Sequence, residues 1–287
     1  MLRKSIVLIG MLLLNSGTGL WSQETRDTCV VTYVANEGFL VETGDAKVLI
    51  DALFGNIKGN WCDQPGDSVR GMMINGTAPF DAIDAVLVTH KHSDHFDGSM
   101  VMSFLKNNRK AFLICPEQVD NALKRDAEYS IVADRIKSIP AKSLFDTSLS
   151  VNGVNVRALR LNHGSYVVTD SVSGKTYDLH RDVENVGYLV NANGFSVFHS
   201  GDDSPSNKGQ YKAYAIGGKQ IDVAFLDRVF LRRDGQDLIN EYIHPHNIVF
   251  MHIEPGKGEY YRSIIKNVPE MFVFARPLEK KIYLKTK

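Results

Sequence analysis

Short apolar runs, each closed by Gly, Asn, Asp or Pro, recur along most of this chain. Their lengths and their content of Val, Ile, Leu and Phe predict strands. Runs without polar interruption, such as Ala85–Val88, are typical of strands that are covered on both faces in a parallel sheet. The predicted strands are Val30–Val34, Phe39–Glu42, Lys47–Ile50, Ala85–Val88, Phe112–Cys115, Ile136–Ile139, Leu149–Val151, Val154–Leu161, Val186–Val190, Phe195–Phe198, Val223–Leu226, Ile248–Met251 and Lys280–Leu284.

Helical spacing occurs at two places between these strands. Ser99–Asn108 puts Met100, Phe104 and Leu105 on one face, and Pro116 suits the first turn of a second helix. Strands that alternate with helices in this way indicate an α/β fold.

Two longer polar segments interrupt the pattern. Gly55–Gly76 is rich in Gly, Asn and Asp and predicts a long loop with room for a short helix, and Ser165–Asp182 predicts a flap or a hairpin. Long loops in compact domains are often lids or binding loops. We therefore expect both segments to border a site and to influence its selectivity.

The composition is that of an ordinary globular protein. The chain has 287 residues, 44% of them hydrophobic, and 33 basic residues balance 33 acidic ones. A formal net charge of zero predicts no broad basic surface and hence no nucleic-acid partner. Length alone allows one large domain or two small ones, and it does not predict the oligomeric state.

The first 23 residues are typical of a secretory signal peptide. Arg3 and Lys4 give a positive start, Ile6–Leu14 is an apolar core, and small and polar residues follow. A helix that spans a bilayer needs about 20 apolar residues, so this core is too short, although an N-terminal membrane anchor is the alternative. Cleavage could fall after Gly19, after Ser22 or near Gln23. With residues 1–23 assigned to the signal peptide, we expect residues 24–287 to form a secreted or periplasmic domain without stable membrane association.

The three cysteines, Cys29, Cys62 and Cys115, are far apart and form no C-x-x-C pair. A zinc site made of thiolates is therefore not indicated. In an oxidising compartment one pair could form a disulfide, and the pairing stays open.

The densest concentration of metal-ligating side chains follows the run Ala85–Val88. Residues 89–95 read Thr-His-Lys-His-Ser-Asp-His, which places three imidazoles and a carboxylate within six positions. These groups are ligands for first-row metals. His163, Asp202 and His252 each follow a later apolar strand. Because strand ends at one edge of a sheet converge in space, we expect all of these residues to meet in one pocket.

The order of these motifs resembles the metallo-β-lactamase superfamily of hydrolases. The resemblance covers nearly the whole mature chain, and it implies a compact single-domain member with a four-layer αβ/βα sandwich of two mixed sheets flanked by helices. The motifs that carry it are residues 89–95, Leu161-Asn162-His163-Gly164, His199-Ser200-Gly201-Asp202, Met251-His252, and the early strand Val48-Leu49-Ile50-Asp51 with its structural aspartate.

The resemblance also implies two divalent metal ions, usually zinc, with manganese or iron as alternatives. Two such ions hold a hydroxide between them and polarise a carbonyl or phosphoryl oxygen. Asp94 is the candidate catalytic residue, because it can orient the attacking water and move its proton. By motif position the ligands are His90, His92 and His163 for the first ion, Asp94, His95 and His252 for the second, and Asp202 bridging both.

Several nearby residues have alternative interpretations. His244 and His246 could replace His252 as the last ligand, but they precede the strand Ile248–Met251 and are expected at its other end. We expect the remaining polar residues of the motifs to support the site, and we expect loop side chains to be surface or packing residues unless they contact substrate. The supporting residues are His199, Asp51 and Asp203, and the loop side chains are Trp61, Tyr166, Tyr177, His180 and Arg228.

The implied function is an exported metal-dependent hydrolase that cleaves an ester, lactone, amide or phosphodiester bond in a small molecule. A di-iron oxidoreductase and a non-catalytic binding protein on the same fold are the alternatives. β-Lactams are not the favoured substrate, because Asp202 stands where true β-lactamases commonly have a cysteine.

Overall fold

Two seven-stranded mixed sheets pack face to face at the centre of this protein, whose computed structural model describes residues 28–142 and 144–285. The predicted signal peptide, residues 1–23, lies outside the described residues. Among the helices within those ranges, none is long and apolar enough to cross a membrane.

The first sheet has an antiparallel half and a parallel half. Its strands, in spatial order, are β16 (Lys280–Leu284), β1 (Thr28–Ala35), β2 (Gly38–Thr43), β3 (Ala46–Ile50), β4 (Ala85–Leu87), β5 (Phe112–Pro116) and β6 (Ile136–Ile139). Pairing is antiparallel from β16 to β3 and parallel from β3 to β6. As a result, β1, β3 and β4 run in the same direction and end at the same edge.

The second sheet is built in a similar way. Its strands, in spatial order, are β15 (Met271–Val273), β14 (Pro245–Met251), β13 (Ile221–Asp227), β12 (Phe195–His199), β11 (Glu184–Ala192), β8 (Val154–Asn162) and β7 (Asp146–Val151). Pairing is parallel from β15 to β12 and antiparallel from β12 to β7. Consequently β8, β12, β13 and β14 all end at one edge. A separate hairpin pairs β9 (Val167–Thr169) with β10 (Thr176–Asp178).

Helices cover the outer face of each sheet. Against the first sheet, Met73, Phe104 and Leu123 pack with strand residues in one buried cluster. Tyr211, Leu238 and Ile265 do the same against the second sheet. The helices are α1 (Asp67–Ile74), α2 (Gly98–Asn107), α3 (Glu117–Leu123), α4 (Lys208–Tyr214), α5 (Arg233–Leu238) and α6 (Gly258–Ile265), with 3₁₀ turns at Tyr129–Ile131, Ala133–Arg135, Pro205–Asn207, Ile216–Gly218 and Arg228–Leu231 and a π turn at Ile239–Ile243.

Burial on both faces explains the uninterrupted apolar runs. In β4, Ala85 and Leu87 face the core between the sheets, whereas Val86 faces the helices. Across the sheets, the ring centroids of Phe39 and Phe225 lie 4.4 Å apart. A strand between two hydrophobic layers has no face for polar side chains.

The predicted four-layer sandwich is confirmed, as is each predicted strand. The hairpin of β11 and β12 turns at Asn193 and Gly194, which both have positive φ, as an Asn-Gly turn requires. The segment Gly55–Gly76 contains α1, and Ser165–Asp182 contains the hairpin of β9 and β10. Helices α4 to α6 and strand β15 were not predicted, because these short elements have no clear periodicity.

Candidate metal centre

The strand ends of the two sheets meet at one edge of the sandwich and bring imidazole and carboxylate groups together there. The first sheet contributes residues that follow β1, β3 and β4, and the second contributes residues that follow β8, β12 and β14. All seven residues predicted as ligands lie at this edge: His90, His92, Asp94, His95, His163, Asp202 and His252.

The first group of donors contains three imidazoles and one carboxylate, namely His90, His92, His163 and Asp202. Nδ1 of His92 lies 3.0 Å from Nε2 of His90. Oδ2 of Asp202 lies 3.3 Å from Nε2 of His163 and 3.8 Å from Nε2 of His90. Each ring therefore directs a nitrogen toward the same small volume.

The second group shares Asp202 with the first. Oδ1 of Asp202 lies 3.1 Å from Nε2 of His95, and Oδ2 lies 3.9 Å from Nε2 of His252. Oδ2 of Asp94 is 3.5 Å from Nε2 of each of these two histidines. Glu37 also places a donor atom within 4.8 Å of His95, Asp202 and His252. The Asp202 carboxylate thus lies between two sets of donors.

Among the seven predicted ligands, three buried polar atoms have no hydrogen-bond partner within the described residues: Nε2 of His95, Nε2 of His163 and Oδ1 of Asp202. Such atoms are almost always paired in proteins. Here each histidine nitrogen contacts an Asp202 oxygen, at 3.1 and 3.3 Å. Donors around a tetrahedral ion at 2.0–2.2 Å are about 3.3–3.6 Å apart, which is close to these separations. The residues present therefore fit a bound metal.

Asp51 determines which ring nitrogen of His90 and His95 faces the centre. Oδ1 of Asp51 accepts the Thr89 N–H at 2.8 Å, and Oδ2 accepts the Thr89 hydroxyl at 2.6 Å and Nδ1–H of His95 at 2.8 Å. Because the Thr89 hydroxyl donates to Asp51, its oxygen can accept Nδ1–H of His90, which lies 3.0 Å away. In their neutral form, both histidines then present the Nε2 lone pair to the centre.

The carbonyl of Gly164 orients two further histidines. It accepts Nδ1–H of His163 at 2.8 Å and lies 3.1 Å from Nδ1 of His180. The His180 ring centroid is 4.3 Å from that of His163 and 4.8 Å from that of His92. Of the loop side chains considered above, His180 therefore borders the centre directly.

Arg228 contacts the outer side of His252. Nη1 of Arg228 lies 3.0 Å from Nδ1 of His252 and donates to the backbone carbonyl of His252 at 3.0 Å. Nε of Arg228 donates to Oε1 of Glu254 at 3.0 Å. Oδ1 of Asp227 is 3.9 Å away. The Arg228 charge is therefore paired with carboxylates, and the side chain positions His252, whose φ of 57° lies in the left-handed region.

The surroundings of the histidines set their proton states. Burial, reinforced by His163, lowers the pKa of His92 to about 4. Burial also lowers the pKa of His90 well below its usual value, with His95 adding to the effect. Neutral imidazole is the form that binds metal ions. Burial opposes a charge on His252, but Asp202 and the hydrogen bond to Asp94 raise its pKa to about 9, so a metal ion there must displace a proton.

The other histidines of the motifs are accounted for by local contacts. Nδ1 of His199 accepts the Gly201 N–H at 3.1 Å, and its Nε2 lies 3.1 Å from the carbonyl of Glu37, so His199 supports the centre and offers it no free lone pair. His244 and His246 lie at the start of β14, opposite the end that His252 follows, as predicted.

The remaining predicted positions lie in loops or local turns. Asp203 accepts a hydrogen bond from Asn207. Tyr166 is half exposed, with its ring 5.4 Å from that of His180. Trp61 and Tyr177 are also half exposed. None of these positions belongs to the two donor groups described above.

Two residues that lie between the predicted strands Val30–Val34 and Phe39–Glu42, and that were not among the predicted site residues, reach the centre. Nδ2 of Asn36 donates to Oδ2 of Asp94 at 3.1 Å, and Glu37 is fully buried with Oε2 4.0 Å from Nδ1 of His95. Burial, followed by the nearby Asp202 charge, raises the pKa of Glu37 well above its usual value. The direction of β1 could have predicted that the turn after it lies at the site, because β1 ends at the same edge of the sheet as β3, which Asp51 follows.

Two mixed sheets in four layers, with an imidazole and carboxylate cluster at their strand ends, define a metallo-β-lactamase type of protein. The chain belongs to the β-lactamase superfamily, since the family model described as the beta-lactamase superfamily domain matches residues 46–256.

Related proteins agree with this assignment. A "UPF0173 metal-dependent hydrolase" of Heliobacterium modesticaldum is 26% identical over 228 residues, which cover 77% of this chain and 81% of that protein. A protein of the same name from Polynucleobacter asymbioticus is 25% identical over 171 residues, 58% of this chain and about half (53%) of that protein. The structure of Igni18, a metallo hydrolase of Ignicoccus hospitalis, aligns with 90% of this chain and all of its own, with a TM-score of 0.58 and 15% identity, and supports the fold.

Proposed function

We propose that this protein is an exported hydrolase with a dinuclear metal centre. The observation that carries the proposal is the position of Asp202, whose Oδ1 lies 3.1 Å from Nε2 of His95 while Oδ2 lies 3.3 Å from Nε2 of His163. A carboxylate between two sets of donors suits a pair of ions held about 3.5–4 Å apart. Family membership and relatives named as metal-dependent hydrolases support the same reaction class.

In this proposal each ion has its own donors and the two ions share one carboxylate. Zinc is the favoured metal because imidazoles dominate the first position, and manganese or iron are the alternatives. The proposed ligands are His90, His92 and His163 for the first ion, Asp94, His95 and His252 for the second, and Asp202 between them.

When bound, the ions would polarise the scissile group and lower the pKa of bound water to about 7. The protein's own residues would supply the proton acceptor. Asn36 holds Oδ2 of Asp94 at 3.1 Å, which leaves Oδ1 to accept the proton of the attacking water. Burial raises the pKa of the Cys62 thiol to about 12, which disfavours a covalent mechanism through that residue.

The proposed substrate is a small molecule with an ester, lactone, amide or phosphodiester bond. His180, at the base of the β9–β10 hairpin, lies beside the donor rings and is the candidate contact for the leaving group or an acyl oxygen. Export is proposed from residues 1–23, and fractionation of cells that express the full chain, with N-terminal sequencing of the product, tests it.

Metal analysis and a panel of reporter substrates test the hydrolase proposal. We expect two metal ions per chain and hydrolysis of at least one reporter ester, lactone, amide or bis-phosphodiester. A chelator should abolish the activity, and added zinc or manganese should restore it. Iron with redox activity and no hydrolysis would instead favour an oxidoreductase, and a protein that binds no metal would favour a non-catalytic role.

A further inference from the structure

Glu37 lies in the tight turn that joins β1 to β2, and its side chain is fully buried. Gly38 follows it, where a Cβ atom would come within 2.9 Å of the Asp51 carbonyl oxygen and 3.0 Å of that of Ala35. Only glycine allows this close approach. The turn is therefore packed against Asp51, and the position of Glu37 beside the metal centre is set by the backbone.

Within the part of the chain that the structure describes, neither carboxylate oxygen of Glu37 has a hydrogen-bond partner. The nearest imidazole N–H is Nδ1 of His95, 4.0 Å from Oε2, but that hydrogen is donated to Asp51. The neighbouring carboxylate of Asp202 also has an oxygen, Oδ1, with no hydrogen-bond partner among the described residues. A buried carboxylate without a partner is costly, and two such groups side by side require a cation or a shared proton between them.

The same carboxylate meets the distance criterion for a ligand. Glu37, His95, Asp202 and His252 each place a donor atom within 4.8 Å of the other three. We propose that Glu37 is a further ligand of the second metal ion, beside His95, His252 and Asp202. This inference rests on the proposed dinuclear centre.

An additional carboxylate changes which metal the second position prefers. With Glu37 and Asp94 its donors would be three carboxylates, one of them the shared Asp202, and two imidazoles, whereas the first position has three imidazoles and the shared carboxylate. Carboxylate oxygens suit manganese, and imidazoles suit zinc. The second position therefore favours manganese more strongly than the first, and Mn²⁺ is the appropriate probe.

The test compares metal binding by the full chain with that of two variants. Glu37→Gln keeps the shape and can still form hydrogen bonds, but it loses the anionic ligand. Glu184→Gln is the matched control, because Glu184 is also buried and accepts a backbone hydrogen bond from Gln118 outside both donor groups. Each purified protein is stripped of metal and titrated with Mn²⁺, and the number of bound ions and both dissociation constants are measured together with the thermal midpoint.

We expect the wild type and Glu184→Gln to bind two ions. In Glu37→Gln we expect the dissociation constant of the ion at the second position, the tighter of the two Mn²⁺ constants in the wild type, to rise by about 100-fold or more, beyond the effect of losing an outer-sphere partner. If Glu37→Gln binds two ions as tightly as the wild type, Glu37 is a hydrogen-bonding residue and the inference is wrong, while the dinuclear centre stands. If the wild type itself binds fewer than two ions, the proposed dinuclear function fails, and the inference fails with it.

A structure of the wild type loaded with Mn²⁺ gives an answer even when Glu37→Gln does not fold. An oxygen of Glu37 at about 2.0–2.4 Å from the second ion supports the inference. A distance beyond the coordination range, with the ion held by Asp94, His95, Asp202 and His252 alone, overturns it.

Discussion

Nδ1 of His95 donates a hydrogen bond to Oδ2 of Asp51 over 2.8 Å, and both side chains are fully buried. The bond fixes the tautomer of His95, so that Nε2 is available to the centre, 3.1 Å from Asp202. Asp51 is itself held by Thr89, whose N–H and hydroxyl both donate to it. Partners of this kind orient metal ligands and raise their basicity.

Asp51→Ala should weaken the second metal site without removing a ligand. The loss of the acceptor frees the His95 ring to rotate or change tautomer, so we expect metal affinity to fall by about 10- to 100-fold. The buried donors left on Thr89 and His95 should lower the free energy of unfolding by roughly 2–4 kcal/mol. Metal titration and chemical denaturation measure the two effects. Asp237→Ala, at an exposed position of α5, is the control and should change neither.

Asp202→Ala should abolish hydrolysis and leave the fold largely intact. The substitution removes the one carboxylate that contacts both donor groups, and it takes nothing from the hydrophobic core. We expect the rate to fall by roughly a thousandfold or more, as with other central electrostatic groups. Circular dichroism, metal content and turnover test this. Full metal content with normal turnover in this variant would contradict the assignment of Asp202.

His252→Ala and His246→Ala separate the two candidates for the last ligand. Nε2 of His252 lies 3.5 Å from Oδ2 of Asp94, whereas His246 is exposed at the other end of β14. His252→Ala should bind one ion per chain, and His246→Ala should still bind two. The stoichiometry of each variant decides between them, and equal losses in both would count against His252.

Tyr188→Phe should weaken the contact between the two sheets directly behind the histidine cluster. The Tyr188 hydroxyl, fully buried in β11, donates to the carbonyl of Val88 at 2.8 Å and lies 3.2 Å from that of Ile114. Its loss leaves a buried carbonyl unpaired, so the free energy of unfolding should fall by about 1–3 kcal/mol. Denaturation of wild type and variant at equal metal loading measures it. Phe39→Leu changes the core without removing a polar group, and its loss of free energy of unfolding shows the size of a pure packing effect for comparison.

The local pattern of the sequence was sufficient to predict the main strands of both sheets and the donors that follow them. An apolar run such as Ala85–Val88 has one stable environment, between two hydrophobic layers, and its polar continuation must leave the sheet at an edge. That reasoning, together with the order of the motifs, led to the fold and to the seven residues that the structure brings together.

The short elements and the supporting contacts depended on more than local pattern. Helices α4 to α6 are six to eight residues long and are stabilised mainly by the sheet they cover. The pairing of Arg228 with Glu254 and His252 likewise joins residues that only the packing of β13 beside β14 makes neighbours.

By itself, the sequence determined the α/β class, the strand ends and the types of donor at each of them, because these follow from burial and from local residue order. Only the tertiary structure decided that Glu37 belongs with His95 and Asp202. Glu37 precedes Asp202 by more than half the length of the chain. The two residues meet because the turn after β1, in the first sheet, and the end of β12, in the second sheet, lie at the same edge of the sandwich. Strand direction and sheet packing are properties of the whole fold, and they place the polar turn between β1 and β2 beside the candidate metal centre.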